Sequence, residues 1–207
     1  MKKSKGRLFI VSGPSGSGKT TLCKMLMALD DMRPRLAQSV SFTTRPIRLG
    51  EVDGRDYFFV SEDIFARYKN KKWMLEWKNV LGYNYGTQLK YVKDTIKKGK
   101  DMLLCVDVGG ARQLKKSRFK KGAVTIFIMP PNLKTLEERL RLRSTDSERA
   151  ICARLKLAKQ EIKSVKEYNY IIINNDIDWA IEELKSIILA EHCRREHALH
   201  SIRKINR

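Results

Sequence analysis

The sequence predicts an α/β protein with a three-layer α/β/α architecture, in which helices cover both faces of a parallel core sheet. Short apolar runs typical of buried strands alternate along the chain with segments whose apolar residues recur at helical spacing. Such alternation favours parallel strands joined by helical crossovers. The 207 residues are enough for one such domain with insertions and a substantial core.

The predicted strands of this sheet are apolar runs at residues 8–11, 102–106, 124–128 and 171–173. Leucines at positions 22, 26 and 29 predict a helix after the first strand. Residues 41–88 interrupt the alternation with turn signals and aromatic segments, which predicts a small mixed α+β subdomain inserted into the core. Ligands of such folds bind at the carboxyl ends of the parallel strands, so we expect the site at that edge.

A phosphate-binding loop follows the first predicted strand. In such a loop, glycines let backbone N–H groups surround phosphate oxygens, the lysine reaches the β- and γ-phosphates, and the hydroxyl ligates Mg²⁺. The alternative is a flexible glycine and serine turn that binds nothing. The preceding strand and the following helix favour the phosphate-binding loop. It matches G-x-x-x-x-G-K-[ST] and reads Gly13-Pro14-Ser15-Gly16-Ser17-Gly18-Lys19-Thr20.

The chain is strongly basic. Lysine and arginine number 43 and aspartate and glutamate 23, so the net charge is +20. This excess predicts either a polyanionic partner or a solvated basic surface around phosphate-binding pockets. Much of it lies in lysine runs such as 69–72 and 97–100, which are typical of helix ends, and no RNA-binding signature accompanies them. We therefore expect no specific nucleic-acid partner.

The spacing of the cysteines indicates the cellular compartment of the protein. All four are scattered without a C-x-x-C pair, which favours a reducing cytoplasm over a disulfide framework or a zinc site. No apolar run approaches the length of a membrane span, and the charged N-terminus leads into the first strand rather than into a cleavable signal. The sequence therefore predicts a cytoplasmic protein without membrane association.

A carboxylate and several arginines are further candidates for the site. Asp107 follows the run 102–106, where it can hold Mg²⁺, face an acceptor nucleotide, or cap a helix beginning near Gly109. Guanidinium groups match phosphate oxygens bidentately, although any single one can be a surface charge. The clustered arginines are Arg45, Arg48, Arg139, Arg141, Arg143 and Arg154.

Several motifs resemble those of guanylate kinases, over a stretch from about Leu8 to Glu191. The acceptor motifs read Val40-Ser41-Phe42-Thr43-Thr44-Arg45-Pro46-Ile47-Arg48-Leu49-Gly50-Glu51, with Gly54, Tyr57 and Phe59-Val60 after it, then Met74-Leu75-Glu76-Trp77, and Gly82-Tyr83-Asn84-Tyr85-Gly86-Thr87. The donor motifs read Arg139-Leu140-Arg141-Leu142-Arg143, with Glu148, Ile151 and Arg154 after it, and Asn174-Asn175-Asp176.

The resemblance implies a P-loop kinase with three parts. The core would comprise residues 1–40, 89–138 and 155–207, the inserted GMP-binding subdomain residues 41–88, and the arginine-rich helical lid residues 139–154. ATP would bind the phosphate loop together with Arg139 and Asn174. The GMP-binding residues would be Ser41, Arg45, Arg48, Glu51, Tyr57, Glu76, Tyr85, Thr87 and Asp107. The catalytic residues would be Lys19, Arg45, Asp107, Arg143 and Arg154, with Mg²⁺ on Thr20 and Asp107.

The implied activity is ATP + GMP ⇌ ADP + GDP, a step in recycling GMP toward GTP and dGTP. Glu76 would accept from the guanine N1–H and N2 amine, and Ser41 and Thr87 would face O6 and N7. Two alternatives stay open: a guanylate-kinase-like scaffold that binds partners without catalysis, and a P-loop kinase with another acceptor such as AMP. The intact phosphate loop argues against the non-catalytic scaffold. The pairing of Glu76 with Ser41 and Thr87 argues against another acceptor. dGMP is a second candidate acceptor, and the protein would be a monomer or a homodimer.

The chain departs from the family pattern at Pro46, which lies one place earlier than the family's proline, and at three further positions. Cys105 stands where guanylate kinases usually carry the first carboxylate of Asp-x-Asp, and residues two apart share one face of a strand. We therefore expect altered charge beside Asp107, with more of the work left to that residue. Ser144 replaces a lid glycine, which is expected to stiffen lid closure, and Asn175 removes one charge near the base of ATP.

Overall fold

The computed structural model describes residues 5–80, 82–116, 122–142 and 148–194, which form two sheets and the helices around them. The strands are β1 (Leu8–Ser12), β2 (Leu36–Gln38), β3 (Phe42–Thr43), β4 (Phe58–Phe59), β5 (Met74–Val80), β6 (Tyr83–Gln88), β7 (Asp101–Cys105), β8 (Ala123–Met129) and β9 (Tyr170–Ile173). The helices are α1 (Lys19–Ala28), α2 (Glu62–Asn70), α3 (Leu89–Lys97), α4 (Val108–Lys116), α5 (Leu133–Arg141), α6 (Glu148–Ile162) and α7 (Ile177–His192), and a 3₁₀ helix covers Lys163–Glu167.

The larger sheet has five parallel strands in the order β2-β7-β1-β8-β9. One face packs on α1 and α7 in a cluster that includes Phe9, Leu26 and Leu184. The other face packs on α3 and α4 in a second cluster, which includes Val92 and Leu114. The protein is therefore a three-layer α/β/α sandwich with a parallel sheet, as the alternation of strand and helix patterns predicts.

The smaller sheet lies within residues 41–88 and has the order β4-β3-β6-β5. Its β3 pairs with β4 in parallel and with β6 antiparallel, so the sheet is mixed. Helix α2 covers one face, where Phe42, Phe65 and Met74 form a separate buried cluster. The opposite face is left to face the edge of the larger sheet.

The predicted strands coincide with β1, β7, β8 and β9, and β8 ends directly before Pro130-Pro131. Strand β7 runs one residue earlier than predicted, since Val106 lies outside it. The lysine runs 69–72 and 97–100 lie at the ends of α2 and α3, as expected. None of the helices in the described ranges is long and apolar enough to cross a membrane.

Candidate active site

The phosphate loop connects β1 to α1 at the carboxyl edge of the larger sheet, and its glycines are sterically required. A Cβ on Gly13 would lie 2.2 Å from the carbonyl oxygen of Ile128. Gly18 has φ of 90° and is the N-cap of α1. The Nζ of Lys19 donates to the carbonyl of Pro14 at 3.2 Å. Burial lowers the pKa of Lys19, while the negative groups of Cys105, Glu161 and Asp107 counteract that shift.

Groups from three other elements meet the loop. Asn174, after β9, donates from Nδ2 to the carbonyl of Ser17 at 2.8 Å and accepts at its own carbonyl from Arg139 Nη2 at 3.1 Å. On α6, Arg154 donates from Nη1 to Ser15 Oγ at 3.2 Å. Arg139 Nη1 is buried and has no hydrogen-bond partner among the described residues. Two guanidinium groups thus lie at the loop, that of Arg154 in direct contact and that of Arg139 through Asn174, and Arg139 has an unused buried N–H group.

The remaining donor-side predictions concern two lid residues and the two residues that follow Asn174. Arg143 and Ser144 lie outside the described residues, between the end of α5 at Arg141 and the start of α6 at Glu148. Asn175 is exposed, and Asp176 accepts at 2.9 Å from Trp179 N as the N-cap of α7. Of the predicted donor-site residues, the structure therefore gathers Arg139, Arg154 and Asn174 at the loop.

Cys105 ends β7 beside the loop. Its Sγ lies 3.8 Å from the Thr20 hydroxyl. A hydrogen bond from Cys23 lowers the pKa of the Cys105 thiol to about 6 and raises the pKa of Cys23, and the charge of Lys19 acts in the same direction on Cys105. The Cys105 thiol therefore ionises more readily than an ordinary cysteine, at the position where guanylate kinases usually carry a carboxylate.

The smaller sheet holds a buried carboxylate. Glu76, on β5, is 6% exposed and accepts from the Thr87 hydroxyl of β6 at 2.7 Å. Ser41 Oγ lies 3.4 Å from Thr87 Oγ1. Burial, with a smaller contribution from the negative charge of Asp107, raises the pKa of Glu76 to about 7, while the hydrogen bond from Thr87 opposes the shift. The three predicted guanine-binding residues therefore form one connected polar group.

The predicted phosphate-binding residues lie along the same sheet. Arg45 makes a bidentate pair with Glu51, with Nη1 at 3.0 Å and Nη2 at 2.8 Å from its oxygens. The guanidinium also lies 5.5 Å from the ring centre of Tyr57, which lies 5.9 Å from that of Tyr85. The hydrogen bonds that Arg45 donates to Glu51 raise the pKa of Arg45. Glu51 thus orients Arg45, while the Arg48 side chain is exposed and only its N–H bonds Glu51, at 2.8 Å.

Asp107 caps a helix, which is one of its three predicted roles. Its Oδ1 accepts from Gly110 N at 2.8 Å at the start of α4. Its Oδ2 pairs with Lys78 of β5. A Cβ on Gly110 would lie 3.1 Å from Glu76 Oε2 and 3.2 Å from Asp107 Oδ1. Asp107 therefore lies where the edge of the larger sheet meets the face of the smaller sheet that carries Glu76.

Three residues of this region are absent from the sequence predictions. Lys78 could have been found, because it lies two positions after Glu76 on the same strand and so shares its face. Gln113 of α4 bonds both backbone groups of Trp77, at 3.2 and 2.8 Å, and so joins the smaller sheet to α4. Burial raises the pKa of Glu161 on α6 near Lys19. No local pattern marks Gln113 or Glu161, since both act through contacts distant in sequence.

Comparison with known proteins decides the family. The model of the family described as guanylate kinase matches residues 5–191. The chain belongs to the guanylate kinase family. It is 45% identical over 203 residues to a guanylate kinase of Geobacter sulfurreducens, covering 98% of both chains. It is also 43% identical to a guanylate kinase of Halalkalibacterium halodurans, covering 96% of this chain and 95% of that one.

Solved structures agree with this membership of the guanylate kinase family. A crystal structure of guanylate kinase from Anaplasma phagocytophilum matches with a TM-score of 0.74 at 33% identity, covering 93% of this chain and 89% of that one. The SH3-kinase fragment of tight junction protein 3 matches with a TM-score of 0.52 at 16% identity, which shows a shared fold only. This chain covers 61% of that fragment and 94% of its own length in the match.

Proposed function

We propose that this protein transfers the γ-phosphoryl group of ATP to GMP, giving ADP and GDP. The observation that carries the proposal is the polar group of Glu76, Thr87 and Ser41, in which Glu76 has the same charged neighbours, Asp107 and Lys78, as Lys19 of the intact phosphate loop. An ionised carboxylate complements the two adjacent donors of guanine. Adenine lacks the N2 amine and would leave part of that buried charge unpaired, which typically costs a few kcal/mol.

On the donor side, the loop amides and Lys19 would bind the β- and γ-phosphates of ATP. Arg139 and Arg154 would complete the set, because one contacts the loop through Asn174 and the other contacts Ser15 directly. The unused buried N–H group of Arg139 supports this role, since a phosphate oxygen would satisfy it. We assign the same role to Arg143 from its place in the lid motif.

On the acceptor side, Arg45, Tyr57 and Tyr85 would hold the GMP phosphate. They already lie together beside the rung of the sheet that carries Thr87 and Glu76. The Arg45–Glu51 pair keeps the guanidinium in place before the phosphate arrives. Arg48 would reach the phosphate from the exposed turn that precedes Glu51.

Mg²⁺ would bind between the loop and the ATP phosphates. In kinases this ion keeps several waters and takes few protein ligands, so a cluster of three acidic side chains is not needed. The described residues contain no such cluster. The Thr20 hydroxyl fits, because its neighbour within hydrogen-bonding range is the weak partner Cys105 Sγ at 3.8 Å. Asp107 would reach the ion through water, since Lys78 and Gly110 engage its two oxygens. The ion would neutralise charge on the transferring phosphates.

The protein's own contribution to the reaction would be positioning and charge neutralisation. Lys19 and the arginines would balance charge on the equatorial oxygens while the GMP phosphate attacks in line. No protein nucleophile is needed. The contacts of Gln113 and Lys78 that join the smaller sheet to α4 and to Asp107 would help exclude water from the closed site. Scattered free cysteines support a cytoplasmic location, and dGMP remains a second candidate acceptor.

The decisive experiment is ADP formation from ATP and Mg²⁺ with GMP, dGMP, AMP or no acceptor. We expect turnover with GMP that falls by at least about 100-fold in Lys19→Ala, because the γ-phosphate loses its main cation. Lys97→Ala, an exposed lysine at the end of α3, is the matched control and should retain full activity. Turnover with AMP would overturn the acceptor assignment. GMP binding without any acceptor-dependent turnover would overturn the kinase assignment.

A further inference from the structure

Lys78 lies on the acceptor face of the smaller sheet. In the register of this sheet, Glu76 pairs with Thr87, and the next rung on the same face pairs Lys78 with Tyr85. Tyr85 also pairs with Thr43 on its other side. Side chains two apart on a strand point to the same face. On this face, the Glu76–Thr87 pair that would bind guanine is therefore followed by a pair that carries a lysine.

That second rung leads to the predicted phosphate-binding residues. Tyr85 lies on it and contacts Tyr57 at a ring distance of 5.9 Å, and Tyr57 in turn contacts Arg45 at 5.5 Å. Arg45 itself lies two residues after Thr43 of the same rung. The order along the face is therefore base-binding carboxylate, then Lys78 with Tyr85, then Arg45. A nucleotide whose base lies at Glu76 would extend its phosphate past Lys78.

The Lys78 ammonium is held at the junction of the two sheets. It pairs with Asp107 Oδ2, and Asp107 is fixed in turn by Gly110 N at 2.8 Å. Lys78 is 29% exposed, so it can be reached from the cleft. Its positive charge acts on residues of both binding sites. Together with burial it lowers the pKa of Lys19, and it opposes the rise in the pKa of Glu76 that burial causes.

Without Lys78, Asp107 would present an unpaired carboxylate to an incoming phosphate dianion, and the two would repel. With it, the pair is neutral, and each ammonium offers three donors, so one can bond Asp107 while another bonds a phosphate oxygen. We propose that Lys78 is a ligand of the acceptor phosphate, and that Asp107 is the positioning residue that holds it there. The proposal rests on the proposed function for the identity of the acceptor, GMP.

Binding of GMP and guanosine, measured by titration calorimetry, tests the proposal because the two ligands differ only in the phosphate. We expect Lys78→Met to weaken GMP binding at least about tenfold, as expected for the loss of a hydrogen bond between charged groups. Measured at pH 9, where Glu76 stays ionised even without the charge of Lys78, guanosine binding should stay within about twofold of wild type, since Glu76, Thr87 and Ser41 are unchanged. Lys78→Arg should retain most of the GMP affinity, and Lys97→Met should bind both ligands as wild type does.

Unchanged GMP affinity in Lys78→Met would overturn the proposal, and so would an equal loss for guanosine, which would indicate a structural role in the sheet. Parallel ADP assays separate this result from the proposed function. Wild-type protein that binds GMP without phosphorylating it would overturn the kinase assignment and leave the Lys78 test valid. Phosphorylation of GMP with unchanged affinity in Lys78→Met would overturn only the role of Lys78. Wild type that binds neither ligand overturns both.

Discussion

At the scale of single residues, Glu76 destabilises the folded protein when it is ionised, and the same ionised form is suited to bind guanine. It is almost fully buried, and its described partner is the Thr87 hydroxyl. A buried carboxylate with so few partners is expensive when ionised. Yet the ionised form is the one that complements guanine, so function and stability make opposite demands on this side chain.

We predict that Glu76→Gln raises the free energy of unfolding of the ligand-free protein at pH 8 by about 3 kcal/mol. Burial raises the pKa of Glu76 from 4.5 to about 7, and each unit corresponds to about 1.4 kcal/mol. Because the pKa of Glu76 is raised in the folded protein, the stability that protonated Glu76 contributes is fully present below pH 4.5 and is lost as pH rises through 7. The gain of the variant should therefore disappear in denaturant titrations at pH 4.5. An equal gain at both pH values would contradict the assigned pKa.

We also predict that guanosine binding weakens about fivefold between pH 7 and pH 6. In that range Glu76 changes from about half ionised to about one-tenth ionised, as its pKa of about 7 requires. Guanosine removes the titration of a phosphate from the measurement. Glu76→Gln should bind guanosine weakly and without this pH dependence. A dependence that survived in Glu76→Gln would point to another titrating group.

At the scale of elements, the start of α4 shows what sequence patterns can and cannot predict. The apolar run before Asp107 predicts a strand followed by a helix, and the helix cap follows from residue type alone. The contact of this helix with Glu76 cannot be predicted, because the smaller sheet is brought there by tertiary packing. Asp107 could be predicted as a site residue, but its partner Lys78 depends on how the two sheets meet.

Adjacent glycines of α4 give a matched pair of variants. Gly110→Ala should weaken guanosine binding about tenfold or more, because its Cβ would lie 3.1 Å from Glu76 Oε2 and displace that carboxylate. Gly109→Ala should leave binding unchanged, since the nearest atom to its Cβ is Asp107 Oδ1 at 3.6 Å. It should also raise the free energy of unfolding by about 0.5 kcal/mol through helix propensity. Calorimetry and denaturant titrations measure both effects, and equal binding in the two variants would contradict the assignment.

At the scale of the whole molecule, the two edges of the larger sheet differ in how their charges are satisfied. At the amino edge, Arg7 pairs with Glu191 at 2.8 Å, and Glu191 accepts from Tyr170 at 2.6 Å. Asp101 accepts from Arg7 N at 2.8 Å and contacts His192 at 2.6 Å. At the carboxyl edge, the Nη1 of Arg139 is buried without a hydrogen-bond partner among the described residues, and Glu76 of the adjoining smaller sheet is buried with the Thr87 hydroxyl as its partner. One edge is thus built for stability and the other for binding.

We predict that Glu191→Ala lowers the free energy of unfolding by about 3 to 5 kcal/mol, because Arg7 would remain buried without its counter-ion. Glu182→Ala, an exposed carboxylate on the same helix, should change it by less than about 0.5 kcal/mol. The activity of folded Glu191→Ala with GMP should equal that of wild type, because the network lies at the edge opposite the phosphate loop. A selective loss of activity would contradict this separation.

Much of the molecule follows from sequence, and the reasons are local. The parallel sheet and the phosphate loop follow from apolar runs and glycine spacing, and most acceptor residues from motifs that resemble one family. The network of Arg7, Asp101 and Glu191 could not be predicted, because it joins residues up to 184 positions apart and leaves no pattern. The lowered pKa of Cys105 could not be predicted either, because it depends on the buried neighbour Cys23 of α1.

The raised pKa of Glu76 has a consequence for which base the site accepts. Protonated Glu76 presents a donor and an acceptor side by side, which is the complement of the adenine N1 and N6 positions. Discrimination between purines should therefore be set by a single proton. We expect the preference for guanosine over adenosine to be strong above pH 7 and to shrink steadily as the solution is acidified. An acidic environment would make this pocket permissive without any change in its shape.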